Sequence, residues 1–136
     1  IDARVTKDVL FAEGSRAPNS ALHQGSLWTT YFFQEGVVKG FGAGIGMYAQ
    51  GKRNGIFQCQ DPGNCAAPFE LPGFVRTDAA LYYRKPDFWG RTNLLAAINL
   101  TNVLDQRYFT GAQNFREIVY TGAPFTAIAS VKFEFH

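Results

Sequence analysis

Apolar and polar positions alternate with a two-residue period along most of this chain, the pattern of strands that show different chemistry on their two faces. In residues 41–49 one face carries Phe41, Ala43, Ile45, Met47 and Ala49, and the other Gly42, Gly44, Gly46 and Tyr48. Residues 74–83 set Val75, Thr77, Ala79, Leu81 and Tyr83 against Phe74, Arg76, Asp78, Ala80 and Tyr82. Residues 92–100 set Leu94, Ala96, Ile98 and Leu100 against Asn93, Leu95, Ala97 and Asn99. The clearest segment, 126–136, sets Ala127, Ala129, Val131, Phe133 and Phe135 against Thr126, Ile128, Ser130, Lys132, Glu134 and His136. Residues 1–10 and 22–33 complete a set of about six strands. The second of these is aromatic on both faces through Trp28, Tyr31, Phe32 and Phe33, which leaves its inward side open.

The connections differ in length. Segments 12–21, 50–73 and 110–123 are long, whereas 34–39 and 84–91 are short. Short turns at one end and long loops at the other is the asymmetry of an outer-membrane barrel. Aromatic residues at the strand ends, Tyr83, Phe88, Trp89, Tyr108 and Phe109, fit interfacial girdles. The expected fold is therefore all-β: a segment of an antiparallel, up-and-down transmembrane β-barrel.

Composition narrows the function. With 13 basic against 11 acidic residues in 136, and no basic stripe, nucleic acid is not an expected partner. Apolar stretches such as 94–98 run five residues, against the roughly 20 of a membrane helix. The only methionine is Met47 and no signal-peptide pattern opens the chain, so it reads as a piece of a longer protein. Cys59 and Cys65 flank a Gln-Asp-Pro-Gly-Asn turn that folds the thiols toward each other. We read them as a disulfide formed in an oxidising compartment, the alternative being two unrelated thiols. With only His23 and His136 as histidines, the spacing for a zinc site is missing.

Other motifs dissolve on inspection. The run Gly40-Phe-Gly-Ala-Gly-Ile-Gly46 has Ile45 where a dinucleotide loop needs its third glycine, and no helical pattern follows. Those glycines read either as a bare wall against which something packs or as points of barrel bending. Asn99-Leu-Thr101 is a formal glycosylation sequon placed inside a strand. Arg76 and Asp78 share a face and are expected to pair there, for roughly 0 to 1 kcal/mol in a wet lumen. No Ser-His-Asp, Cys-His or paired-carboxylate arrangement stands out, so no enzyme is expected.

Four blocks carry a family resemblance: Leu71-Pro-Gly-Phe-Val-Arg-Thr-Asp-Ala-Ala-Leu-Tyr-Tyr83, Asn99-Leu-Thr-Asn-Val-Leu-Asp-Gln-Arg-Tyr108, Gly122-Ala-Pro-Phe-Thr126 and the aromatic last strand. Together they resemble the final strands of TonB-dependent outer-membrane receptors of the ferric-siderophore branch. Ile1-Asp-Ala-Arg-Val-Thr-Lys7 and Leu27-Trp-Thr-Thr-Tyr31 resemble the strands just before. The resemblance implies that residues 1–136 are the C-terminal portion, about the last six strands, of a plugged barrel of about 22 strands in the bacterial outer membrane. The plug domain and the TonB-binding segment lie outside this sequence. One departure is that His136 follows Phe135, where such receptors end on an aromatic residue read by the barrel-assembly machinery.

The resemblance further implies that the long segments are extracellular and the two short turns periplasmic. The transported ligand is then a ferric siderophore, with no covalently bound cofactor and no metal site. Cobalamin or a sugar is the open alternative as ligand. Expected partners are outer-membrane lipid, the plug and upstream strands, and TonB through the N-terminal part. In the last outer loop Phe109, Gln113, Phe115 and Tyr120 are candidate ligand contacts, offering aromatic surface and a hydrogen-bond donor to a chelate; the plainer reading is girdle or loop packing. A passive porin-like or structural barrel is the alternative function, and a secreted soluble β-domain a third.

Overall fold

The computed structural model describes residues 4, 6, 13, 14, 16–55, 69–113 and 118–135. Nine strands occur among them: β1 (Gln24–Phe32), β2 (Phe41–Gln50), β3 (Arg53–Asn54), β4 (Glu70–Leu71), β5 (Phe74–Lys85), β6 (Thr92–Thr101), β7 (Phe109–Ala112), β8 (Val119–Thr121) and β9 (Thr126–Phe135). A single 3-10 turn, Gly36–Val38, is the other element. No helix among these residues is long and apolar enough to cross a membrane, a criterion that does not bear on strands.

Five strands of 9 to 12 residues form one sheet in the order β1-β2-β5-β6-β9. A strand of about 10 residues is what a tilted crossing of a bilayer requires. The expected boundaries hold to within two residues for these five. Of the expected first strand only Arg4 and Thr6 are described, and Arg4 forms an isolated bridge with Arg16. The expected long loops need correction, because two of them contain paired strands: Arg53 opposite Leu71, and Ala112 opposite Val119. Their polar, Gly-rich composition hid segments only two to four residues long.

Register confirms the sorting of faces. Leu81 lies opposite Ile98, Tyr83 opposite Ala96, Leu94 opposite Phe133 and Ala96 opposite Val131. Asn93 faces Glu134 and Leu95 faces Lys132 on the other side. Since a slip of one residue would exchange the faces, these pairs fix every side chain of β5, β6 and β9.

Contacts divide the chain into two compact units. The first, residues 26–48, 76–106 and 123–136, is the body of the sheet. Among the described residues its one buried hydrophobic side chain is Ala80, while Ile45, Leu81, Ile98, Val131 and Phe133 stand exposed on the apolar face. A sheet whose apolar face stands exposed while its polar face is partly covered suits a wall between lipid and lumen. The second unit, residues 1–25, 49–75 and 107–122, holds the other buried hydrophobic side chains among the described residues: Ala21, Leu71, Tyr108 and Ala112.

Candidate functional site

The polar face of the sheet begins with the glycines of β2. A Cβ on Gly44 would lie 2.8 Å from the Trp28 ring, and one on Gly42 would meet the Phe32 ring at 2.5 Å. Gly46 also sits beneath Trp28. What packs against the bare wall is therefore the neighbouring strand β1, and this settles the side of β1 that the sequence left open. Trp28, Thr30 and Phe32 share the polar face, with Trp28 Nε1 donating to Thr30 Oγ1 at 2.8 Å. Tyr31 and Phe33 meet edge-on at 5.1 Å on the opposite side.

From Phe32 the polar face continues across the sheet. Phe32 lies 5.7 Å from the Tyr82 ring and beneath the Arg84 guanidinium. A cavity of about 200 Å3 opens there, bordered by Phe32, Tyr82, Arg84, Ala97, Ser130 and Lys132. The expected Arg76–Asp78 pair is present at 2.8 Å, with both side chains about three-quarters buried. Asp78 does a second job: its Oδ1 accepts the backbone N–H of Asn102 at 2.9 Å.

Asn102 is fully buried and has φ +55, a left-handed conformation that asparagine tolerates better than most residues. Its Nδ2 donates to the carbonyls of Gln106 at 2.9 Å and Ala123 at 3.0 Å, while its Oδ1 accepts the Gln106 N–H at 3.0 Å. Asp105, also left-handed at φ +46, accepts the Phe125 N–H at 2.9 Å through Oδ1. The Asn-Leu-Thr-Asn-Val-Leu-Asp and Gly-Ala-Pro-Phe-Thr blocks are thus two halves of one hydrogen-bonded turn. It fastens the end of β6 to the start of β9.

In the second unit the candidate ligand residues sit on the β7–β8 hairpin. Phe109 is on β7, Tyr120 on β8 opposite Gly111, and Gln113 directly follows β7. Tyr120 Oη donates to Gln113 Oε1 at 3.3 Å. Phe109, Gln113 and Tyr120 are all exposed. This pair presents the phenol's lone pairs and the amide N–H groups of Gln113 to whatever approaches, and the Phe109 ring is exposed on the same hairpin. Phe115 lies outside the described residues, as do Cys59, Cys65 and His136.

Two residues that sequence reasoning overlooked hold this hairpin. Asn19 donates from Nδ2 to the Ala112 carbonyl and accepts the Ala112 N–H, both at 2.8 Å, and its own N–H donates to the Asn54 carbonyl at 2.8 Å. Arg53, 2% exposed, donates to the carbonyls of Thr110 and Phe109 and stands over the Phe74 ring. Phe74 in turn stacks on Tyr108 at 4.3 Å. Tyr108 was expected in a girdle, but it is buried in this unit with its ring over Gly122. Neither Asn19 nor Arg53 had a signal beyond a polar residue in a polar loop, since their partners are backbone atoms 56 to 93 residues away.

No protein-family profile matches the chain. The sequence is 36% identical over 114 residues to the metal-pseudopaline receptor CntO of Pseudomonas aeruginosa, in both strain UCBPP-PA14 and strain PAO1. The alignment covers 84% of this chain and 14% of the relative, so the chain spans about a seventh of the curated relatives it matches. Among solved structures, it superposes on the ferripyoverdine receptor of the P. aeruginosa outer membrane bound to ferripyoverdine, with TM-score 0.65 and 24% identity. It also matches the P. aeruginosa receptor FpvA bound to heterologous pyoverdines, at TM-score 0.66. Each superposition covers 87% of this chain and 15% of the other, and supports the fold. Taken with the lipid-wall sheet and the blocks at 71–83, 99–108 and 122–126, these relations show that the chain belongs to the TonB-dependent receptors of the bacterial outer membrane, as part of their C-terminal barrel.

Proposed function

We propose that this chain forms the barrel wall and outer loops of a receptor that imports a ferric siderophore, or a closely related metal chelate, across the outer membrane. The observation that carries the reading is the β7–β8 hairpin, which displays Gln113, Tyr120 and Phe109 on a frame fixed by Asn19 and Arg53. An amide donor next to exposed aromatic rings suits a polar chelate with an organic periphery. The 36% identity to a metal-pseudopaline receptor supports a metal chelate over cobalamin or a sugar. Membership of an energised receptor family also weighs against the passive porin.

In this reading residues 1–136 are the C-terminal portion of the barrel, and upstream sequence supplies the remaining strands, the plug and the TonB-binding segment. Lipid, the barrel-assembly machinery and TonB are its partners, and its role is transport with no chemistry on the cargo and no covalent cofactor. Cys59 and Cys65 form a bridge that shapes the loop at 50–73; the mass of the unreduced peptide tests it, two free thiols being the contrary result.

The ligand surface is tested by replacing Phe109, Gln113, Phe115 and Tyr120 together with alanine in the full-length receptor. Uptake of the iron chelate should fall while the amount of receptor in the outer membrane stays the same. Unchanged uptake would remove this loop from the site.

A further inference from the structure

The ends of β1, β2 and β5 enclose a groove of about 460 Å3, bordered by Phe33, Gln34, Lys39, Tyr83, Arg84 and Lys85. Glu35 and Asp87 belong to the same two turns but lie outside its lining. Arg84 turns its guanidinium to the polar face over Phe32, which leaves Lys39 and Lys85 as the cations of the groove, and two cations without a lining carboxylate make a site of positive potential suited to an anion.

The backbone fixes this groove. Arg84 N–H donates to the Gly40 carbonyl at 2.8 Å, and Gly40 N–H donates to the Phe33 carbonyl at 3.2 Å. Gly40 has φ +91, and a Cβ placed on it would run into the Arg84 carbonyl oxygen, which leaves no room for a side chain. Lys85 pairs with Leu94 across β5 and β6, so it stands on the apolar face, the same side as Tyr83.

A second observation indicates what kind of anion fits. Val37, in the turn beside the groove, is 100% exposed, and Phe33 and Val38 are also exposed. Phe41 and Tyr83, with rings 4.6 Å apart, carry this apolar surface onto the outer face of the sheet. Cations at the rim above a continuous apolar surface match the layout of a lipid, with a charged headgroup above its acyl chains.

We infer that this rim groove binds the phosphate of an anionic phospholipid, with the acyl chains lying along the apolar face beside Phe41 and Tyr83. Lys39 and Lys85 supply the charge at the headgroup and Gln34 a hydrogen-bond donor. The inference rests on the reading of the two short turns as periplasmic, which places the groove in the leaflet that carries phospholipid and not lipopolysaccharide.

Native mass spectrometry of the full-length receptor, titrated with phosphatidylglycerol, tests it. Lys39→Gln with Lys85→Gln should weaken the first bound lipid by about thirtyfold, each basic group near an anionic surface contributing about fivefold. Lys39→Arg with Lys85→Arg should stay within about threefold of the native receptor. Lys52→Gln, remote in sequence from these turns and paired with Glu70, should change nothing. If the double glutamine variant fails to insert, Lys85→Gln alone should show about a fivefold loss. The inference is overturned if phosphatidylglycerol affinity survives both lysine losses, or if phosphatidylethanolamine binds the native receptor equally well. It is also overturned if inorganic phosphate displaces the lipid, or if the variants lose lipid A and keep phosphatidylglycerol. Chelate binding measured on the same samples separates the two readings, because its absence from every protein would refute the proposed cargo and leave the lipid comparison intact.

Discussion

Asp78 Oδ1 accepts the backbone N–H of Asn102 at 2.9 Å while Asp78 Oδ2 holds the Arg76 guanidinium at 2.8 Å, so one carboxylate ties β5 both to a charge on its own strand and to the turn that follows β6. Asn102 is buried and every polar group of its side chain is matched. Truncating it leaves the Gln106 and Ala123 carbonyls without their donor and places alanine at a positive φ. Asn102→Ala in the full-length receptor should therefore cost about 2 to 4 kcal/mol, from the loss of buried hydrogen bonds and the strained backbone. Urea unfolding of the receptor in detergent measures this, and a change below about 0.5 kcal/mol would mean the turn is not held by Asn102.

The glycines of β2 give a second test. Gly44→Val and Gly46→Val drive a side chain into the Trp28 ring and should each destabilise the barrel by about 1 to 3 kcal/mol, the range for overpacking. Adding Trp28→Ala should recover a large part of that loss, a coupling that a double-mutant cycle reads directly. Equal penalties with and without Trp28 would point to backbone bending as the reason for glycine.

Much of this sheet was legible from sequence and little of the loops was. Alternation in β5, β6 and β9 gave their faces because a membrane wall forces opposite chemistry on adjacent residues, and Leu94 opposite Phe133 or Asn93 opposite Glu134 follows from it. β1 resisted because Trp28 and Phe32 are apolar residues on the polar face. They stand there because the glycines beside them leave a trough deep enough for a ring, a relation between strands that no single strand displays. The hairpin's exposed Phe109, Gln113 and Tyr120 could be singled out from sequence as candidates, but the frame that holds them could not. Asn19 and Arg53 act on backbone atoms of Ala112, Thr110 and Phe109, and a backbone acceptor has no sequence signature. Tyr108 was misplaced for a similar reason, since its burial depends on Phe74 and Gly122 coming together around it.

Orientation of the faces is tested by charge. Val131→Arg near the middle of β9 should cost about 2 to 4 kcal/mol in the intact barrel, the penalty for a charge on the lipid side at the bilayer midplane. Ser130→Arg, one residue away on the polar face beside Lys132 and Ala97, should cost much less. Equal costs at the two positions would refute the assignment of lipid and lumen.

The isolated chain should behave differently from the receptor. Among the described residues β1 and β9 are the outer strands of the five-stranded sheet, and even with the expected first strand the chain has fewer than the eight strands that close the smallest membrane barrel, so it keeps open edges. Unpaired edges beside an exposed apolar face recruit other chains. Residues 1–136 alone should aggregate or oligomerise in detergent, form no monomeric pore and bind no iron chelate tightly. Size-exclusion chromatography and chelate titration check this, and submicromolar binding by a monomer would contradict it.

Radioiron uptake by cells that depend on the full-length receptor, measured before and after collapse of the proton-motive force, tests the central claim most directly. An energised chelate receptor should accumulate iron only while the force is maintained and should stop when an uncoupler is added, although surface binding of the chelate persists. Entry that continues undiminished after uncoupling would contradict the account and leave a passive barrel in its place.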